Sequence, residues 1–269
     1  MLKNLTICLF VIVASYSSQA IIVRHDVGQA RYQVKAIDYP AIFFLERQGS
    51  RKVCVATLIH PQWALTAAHC LQETMLGETL DEGRRFAVRL AGSDREIDLA
   101  IRHPRYQSGS PDDTDLALLR FRSAAATPNP MPLNQSTSEL HQVVSIFGWG
   151  YFGIGTQGRQ YDDGRMRRAT NRISQADRYL RFVFDDPRQR SVESLPLEGT
   201  LGLGDSGGPA ILDTETGPLL AGIAVGEIMG PGFEEETQGR YGSEAIYERV
   251  SSHIAWIEAV IGSELPFDS

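Results

Sequence analysis

The chain has 269 residues, 42% of them hydrophobic, enough to bury a core of one or two domains. Its formal net charge is −7, which argues against a nucleic-acid partner, since phosphate neutralisation needs clustered Lys and Arg. The one basic cluster, Arg165-Met166-Arg167-Arg168, is read as a solvated strand edge.

The first twenty residues read as an export signal. Lys3 supplies a positive start, an apolar run covers residues 5–14 with only Thr6 interrupting it, and Ser18-Gln19-Ala20 offers small residues for cleavage. The run is short for a bilayer span, so removal is expected, giving a secreted or periplasmic protein with no stable membrane anchor. Of three cysteines, Cys8 falls in the segment to be removed, leaving Cys54 and Cys70. An even pair in an exported chain suggests a disulfide, with two buried free thiols as the alternative. A loop of that size would contribute roughly 3 kcal/mol in the chain-entropy view.

Short strands follow in chain order. Residues 41–45 and 53–59 are apolar, β-branched or aromatic, and Gly49-Ser50 in the connection between them suggests a hairpin. Residues 85–90 largely alternate polar and apolar as a half-buried strand should, and residues 116–121 form another strand. Residues 123–138, rich in Ala, Pro, Ser and Thr, read as a linker. Strand signals resume at residues 143–147, 180–184, 209–212, 219–225 and 245–250. At the end, Ser251 or Ser252 can cap a helix whose Ile254, Ile257 and Ile261 share one face. The pattern fits two β-barrels with a closing helix, and no solenoid repeat is present.

Three short motifs carry chemistry. They are Thr66-Ala67-Ala68-His69-Cys70, Asp115-Leu116-Ala117-Leu118-Leu119 and Gly204-Asp205-Ser206-Gly207-Gly208-Pro209. A serine hydroxyl is a weak nucleophile until a neutral imidazole takes its proton. The imidazole must be held in one tautomer, which a buried carboxylate does by accepting its other N–H. Glycines beside the serine let backbone N–H groups approach an oxyanion. The order His, Asp, Ser separates this arrangement from an α/β-hydrolase esterase, which needs Ser, Asp, His. His25, His60, His103, His141 and His253 are read as ordinary surface or core residues. Asp112 and Asp113 compete with Asp115, but only Asp115 directly precedes an apolar strand that can carry it inward.

With these motifs in place, the chain resembles the trypsin- and chymotrypsin-like serine peptidases over nearly all of its length after residue 20. Gly148-Trp149-Gly150 and Ile246-Tyr247-Glu248-Arg249-Val250 with Trp256-Ile257 strengthen the likeness, as does the Cys54–Cys70 pair. The resemblance implies an all-β fold of two six-stranded antiparallel β-barrels with a C-terminal helix. Residues 21–127 would form one barrel, and residues 128–269 the other barrel with the helix. It implies a secreted endopeptidase acting on protein or peptide substrates through an acyl-enzyme. His69 would be the general base, Asp115 its orienting acid and Ser206 the nucleophile, with the N–H groups of Gly204 and Ser206 as oxyanion hole. A new N-terminal ammonium on Ile21, or on Ile22, would pair with Asp205; signal cleavage after Ala20 would itself create it, although Val23-Arg24 replaces the family's glycine pair.

The resemblance puts Thr200 at the base of the substrate pocket and Ala245 on its wall, neither charged, which departs from trypsin specificity. Gly202 stands where relatives carry a cysteine. Val225-Gly226-Glu227 replaces the usual Ser-Trp-Gly edge, so the serine hydrogen bond toward the triad aspartate is lost. Glu227 and Glu234-Glu235-Glu236 are read as solvated loop carboxylates, with attraction of basic substrate groups at the pocket mouth as the alternative for Glu227. No cofactor and no metal cluster is expected, and a calcium loop around residues 73–82 has no support. The competing expectation is a non-catalytic binding protein on the same fold.

Overall fold

The computed structural model describes residues 21–107, 113–189, 194–228 and 237–262. The export signal and the Glu234-Glu235-Glu236 run therefore lie outside the described residues.

The first half is a six-stranded sheet in the order β2-β3-β4-β7-β6-β5. Its strands are β2 (Ile42–Gln48), β3 (Arg51–His60), β4 (Trp63–Thr66), β5 (Phe86–Leu90), β6 (Ser93–Arg102) and β7 (Ala117–Phe121). The end strands β2 and β5 pack together, which curls the sheet into a barrel. The expected hairpin closes through Gln48 opposite Arg51, with Gly49 at φ +67° in the turn. The alternation read for residues 86–90 appears as three buried residues, Phe86, Val88 and Leu90, separated by exposed Ala87 and Arg89.

The second half is a closed antiparallel barrel in the order β11-β12-β16-β15-β14-β8. Here β8 is Val143–Gly148, β11 Arg167–Ala176, β12 Tyr179–Val183, β14 Pro209–Thr214, β15 Gly217–Glu227 and β16 Glu244–Arg249. A third sheet was not foreseen. It runs β10-β9-β1-β13, made of β1 (Ile21–Val23), β9 (Phe152–Ile154), β10 (Gly158–Tyr161) and β13 (Gly199–Thr200). Residues 21–23 thus pair with the second half, parallel to β9 and antiparallel to β13.

The closing helix (Ile254–Ile261) buries Ile257 in the core of the first barrel. It starts after His253 with no side-chain cap, because the Ser251 hydroxyl goes to Glu139 at 2.6 Å. Gly262, at φ +71°, ends it and donates its N–H to Glu258 O at 2.9 Å. Ile42 and Val55 of the first half meet Phe147, Trp149, Met166 and Ile211 of the second in one buried cluster. The histidine and serine loops come together beside this seam.

The basic cluster is not a solvated edge. Arg167 is fully buried and gives two N–H groups to Asp163 at 3.0 Å each, with its guanidinium 5.2 Å from the Phe152 ring. Arg168 pairs with Asp213 at 3.1 Å, and Arg165 remains exposed.

Candidate active site

His69 sits between the end of β4 and the helix α1 (Cys70–Glu73), with helical backbone angles of its own. Cys70, the first residue of that helix, is joined to Cys54 in β3 by a disulfide with a Cα–Cα separation of 5.8 Å. The turn carrying the imidazole is thereby fixed to the barrel wall.

Asp115 lies two residues before β7 and is 7% exposed. One carboxylate oxygen accepts the His69 backbone N–H at 2.9 Å, and the other forms a short contact with His69 Nδ1. The second contact puts the imidazole proton on Nδ1 and leaves the Nε2 lone pair available as a base. Burial alone would lower the His69 pKa, but the hydrogen bond and charge of Asp115 outweigh it and hold it above its ordinary value.

The serine loop is tied to the same wall. Cys54 N–H donates to Gly204 O at 3.1 Å, and Val55 N–H donates to Ser206 O at 2.8 Å. Gly207, at φ +75°, is the contact point with the histidine loop. A Cβ there would stand 2.2 Å from Val55 O, 2.3 Å from Thr66 Oγ1 and 3.2 Å from Ala67 N. Ser206 therefore neighbours the segment that leads into His69, and a larger residue at 207 would push the two loops apart. Among the described residues, the N–H groups of Gly204 and Ser206 have no protein acceptor, and Gly204 has φ +99°. Two such donors, separated by one residue on a loop with a half-buried serine, can receive a developing oxyanion.

Sequence reasoning missed Glu248. It is 1% exposed on β16, and its Oε1 accepts the Asp115 backbone N–H at 2.8 Å across the barrel seam. Its Oε2 stands 3.4 Å from His253 Nε2. Its place in an otherwise buried strand pattern was the available signal. The bond fixes the Asp115 backbone but supplies no donor to the Asp115 carboxylate; among the described residues, His69 provides both of those.

Asp205 is 1% exposed and accepts N–H groups from Gly150 at 2.7 Å and Gly202 at 2.8 Å. Burial pushes its carboxyl up to about 6, against the pull of those two bonds and of Arg167. Both donors lie just beyond the N-terminal end of β1. Ile21 is opposite Phe152, two residues after Gly150, and Ile22 is opposite Thr200, two residues before Gly202. The structure thus brings the start of β1 toward the Asp205 carboxylate, with Ile21 and Ile22 fully buried.

Thr200 and Ala245 are buried in β13 and β16, and Thr200 Oγ1 has no hydrogen-bond partner among the described residues. Glu227 is a correction to the sequence reading. It ends β15 opposite Ala245, is part-buried, and accepts the Gly239 N–H at 2.8 Å. Burial pushes its carboxyl up to about 7. A solvated loop acid would show neither feature.

A family model described as Trypsin matches residues 27–257. Among curated proteins, mouse (Mus musculus) vitamin K-dependent protein C is 30% identical over 261 residues, covering 84% of this chain and 50% of its own. Human (Homo sapiens) kallikrein-8 is 26% identical over 237 residues, covering 81% of this chain and 80% of its own. The chain spans about half the length of the protein C relatives it matches. Among solved structures, neuropsin, described as a serine protease expressed in the limbic system of mouse brain, superposes with a TM-score of 0.63. It is 20% identical and covers 86% of this chain and 98% of its own, a likeness of fold.

Proposed function

Because the chain belongs to the Trypsin family, whose model covers residues 27–257, we propose that it is a secreted serine endopeptidase. It cleaves protein or peptide substrates through an acyl-enzyme. Residues 21–269 form one peptidase domain of two barrels that divide near residue 127, with β1 crossing to the second half and the closing helix to the first, and residues 1–20 are the export signal removed from it.

The observation that carries this reading is the doubly bonded His69–Asp115 pair beside a glycine-flanked serine. Ser206 Oγ attacks the scissile carbonyl while His69 Nε2 takes its proton. Asp115 stabilises the resulting imidazolium, and the Gly204 and Ser206 N–H groups receive the oxyanion. The imidazolium then returns its proton to the leaving amine, and water repeats the sequence on the ester. Thr200 and Ala245 receive the side chain on the acyl side of the bond. A binding protein without catalysis would have no need of this pairing.

Cleavage after Ala20 makes Ile21 the amino terminus, and its ammonium pairs with Asp205. The position of β1 supports this. So does Ile21 itself, whose φ of +59° is costly for a β-branched residue. That torsion exists only while another residue precedes Ile21.

The test is hydrolysis of a peptide library across pH. The acid limb of kcat/KM follows the protonation of His69, since imidazolium cannot act as base. With that pKa raised above its ordinary value, the limb is expected above about pH 6.5. Full activity at pH 5 would contradict the assignment of His69 as base.

A further inference from the structure

Beside the proposed oxyanion hole lies a set of cations that the catalytic steps do not use. Arg51 opens β3, and a Cβ placed on Gly204 would stand 3.7 Å from its Nε. That Nε is buried and has no acceptor among the described residues. The Arg51 guanidinium carbon is 5.7 Å from the centre of the Tyr151 ring, and that of Arg159 is 5.2 Å from the same ring. Tyr151 is anchored next to the serine loop by its N–H to Leu203 O at 2.7 Å. Lys52 follows Arg51, with Nζ 4.7 Å from the Phe44 ring centre and its hydrogen bond given to a neutral acceptor, Gly164 O, at 2.6 Å.

The described acids near Arg51 and Lys52 are engaged elsewhere. Asp163 is committed to Arg167 through both oxygens and also lies 3.5 Å from Arg165. Glu46 accepts from Gln48 and from the Met75 N–H. Among the described residues, no carboxylate oxygen lies within 4 Å of Arg51 or Lys52. Among the described residues, a chain of net charge −7 therefore carries a local positive patch against its nucleophile loop.

Which part of a substrate meets this patch follows from the proton transfers. The leaving amine must face His69 Nε2 to receive its proton. The disulfide holds His69 to Cys54, and Cys54 follows Arg51 by three residues on the same strand. The acyl side of the substrate lies toward Thr200 and Ala245, in the other half. The departing chain thus runs past the start of β3.

We propose that Arg51, supported by Lys52, selects substrates bearing an Asp or Glu carboxylate within the first three residues on the leaving side of the cleaved bond. This rests on the peptidase reading above. A planar guanidinium beside an aromatic ring suits a carboxylate, which its terminal N–H groups can bind.

The experiment uses the mature secreted enzyme and quenched fluorescent peptides randomised on the acyl side. Glu, Gly or Lys is placed at each of the first three leaving-side positions. The wild type is expected to favour Glu over Gly by roughly 10-fold in kcat/KM at the best position, and to disfavour Lys. Arg51→Gln should bring that ratio to within about twofold, and Arg51→Glu should turn it toward Lys. Each ratio is read within a single variant, so a general loss of activity cancels. Equal wild-type rates for Glu and Gly, or an unchanged ratio in Arg51→Gln, would overturn the inference. Equal rates in an enzyme whose Ser206 reacts with a phosphonate would leave the peptidase reading standing. No hydrolysis together with no phosphonate reaction would remove both.

Discussion

Ser206→Ala is expected to lower kcat by at least about 10⁴-fold while the protein stays folded. The scale is that of triad serines in general, and it corresponds to roughly 5 kcal/mol or more of lost transition-state stabilisation. Stability should hardly change, because the hydroxyl is removed without loss of structure. What ties the serine loop to the barrel wall is its backbone, through Cys54 N–H to Gly204 O and Val55 N–H to Ser206 O. The residual rate would come from binding and from the oxyanion donors, which the substitution leaves in place. Thermal unfolding together with steady-state kinetics checks both halves. A variant that retains a tenth of the activity would remove Ser206 from the nucleophile's role.

The second large effect is expected at the amino terminus. Secreted protein should begin at Ile21 or Ile22, and a form with residues kept ahead of Ile21 should lose at least about 10²-fold to 10³-fold in kcat. That is the scale for a disturbed oxyanion hole. Asp205 explains why. Its carboxylate is buried, is held by two backbone N–H groups, and has its pKa pushed up to about 6. Near pH 7 it is an ionised group in an apolar interior, and an ammonium at Ile21 would supply the missing counter-charge. The linkage has a definite sign. A carboxyl whose folded pKa is raised favours the folded state at low pH, and that benefit is lost as pH rises through about 6. The uncleaved form should therefore gain thermal stability on acidification from pH 7 to pH 5 more than the cleaved form does. Asp205→Asn should reproduce the loss of activity, because its amide nitrogen would face the N–H of Gly150 or Gly202, donor against donor. Edman or mass-spectrometric reading of the terminus, with kinetics on both forms, decides the matter. A fully active chain starting well upstream or downstream of Ile21 would contradict it.

Local patterns in the sequence carried most of the strands and all three motifs. Phe86, Val88 and Leu90 alternate with small or charged neighbours, Ala87 and Arg89, because one face of β5 is buried, and that period is largely visible without a structure. The sheet containing β1 was not visible. It depends on Ile21 meeting Phe152 and Ile22 meeting Thr200, pairings far apart in sequence that three-residue and two-residue strands cannot announce. Arg167 was misread because a charge run is most often solvated, whereas here Asp163 folds back to neutralise a guanidinium inside the protein. Glu227 was misread for a related reason. Its strand continues past the last apolar residue, so the acid is drawn against Gly239 instead of into solvent. Glu248 shows the limit most clearly, since its partner is the backbone N–H of Asp115 in the other half of the molecule.

The central claim is that His69, Asp115 and Ser206 together make one hydroxyl reactive. Its most direct test is reaction of the secreted protein with an organophosphonate, followed by peptide mapping. A single adduct on Ser206, abolished when His69 is changed to Ala in a protein that still folds, is the expected result. An unreactive Ser206 in correctly processed, folded protein, or labelling that is indifferent to the loss of His69, would contradict it.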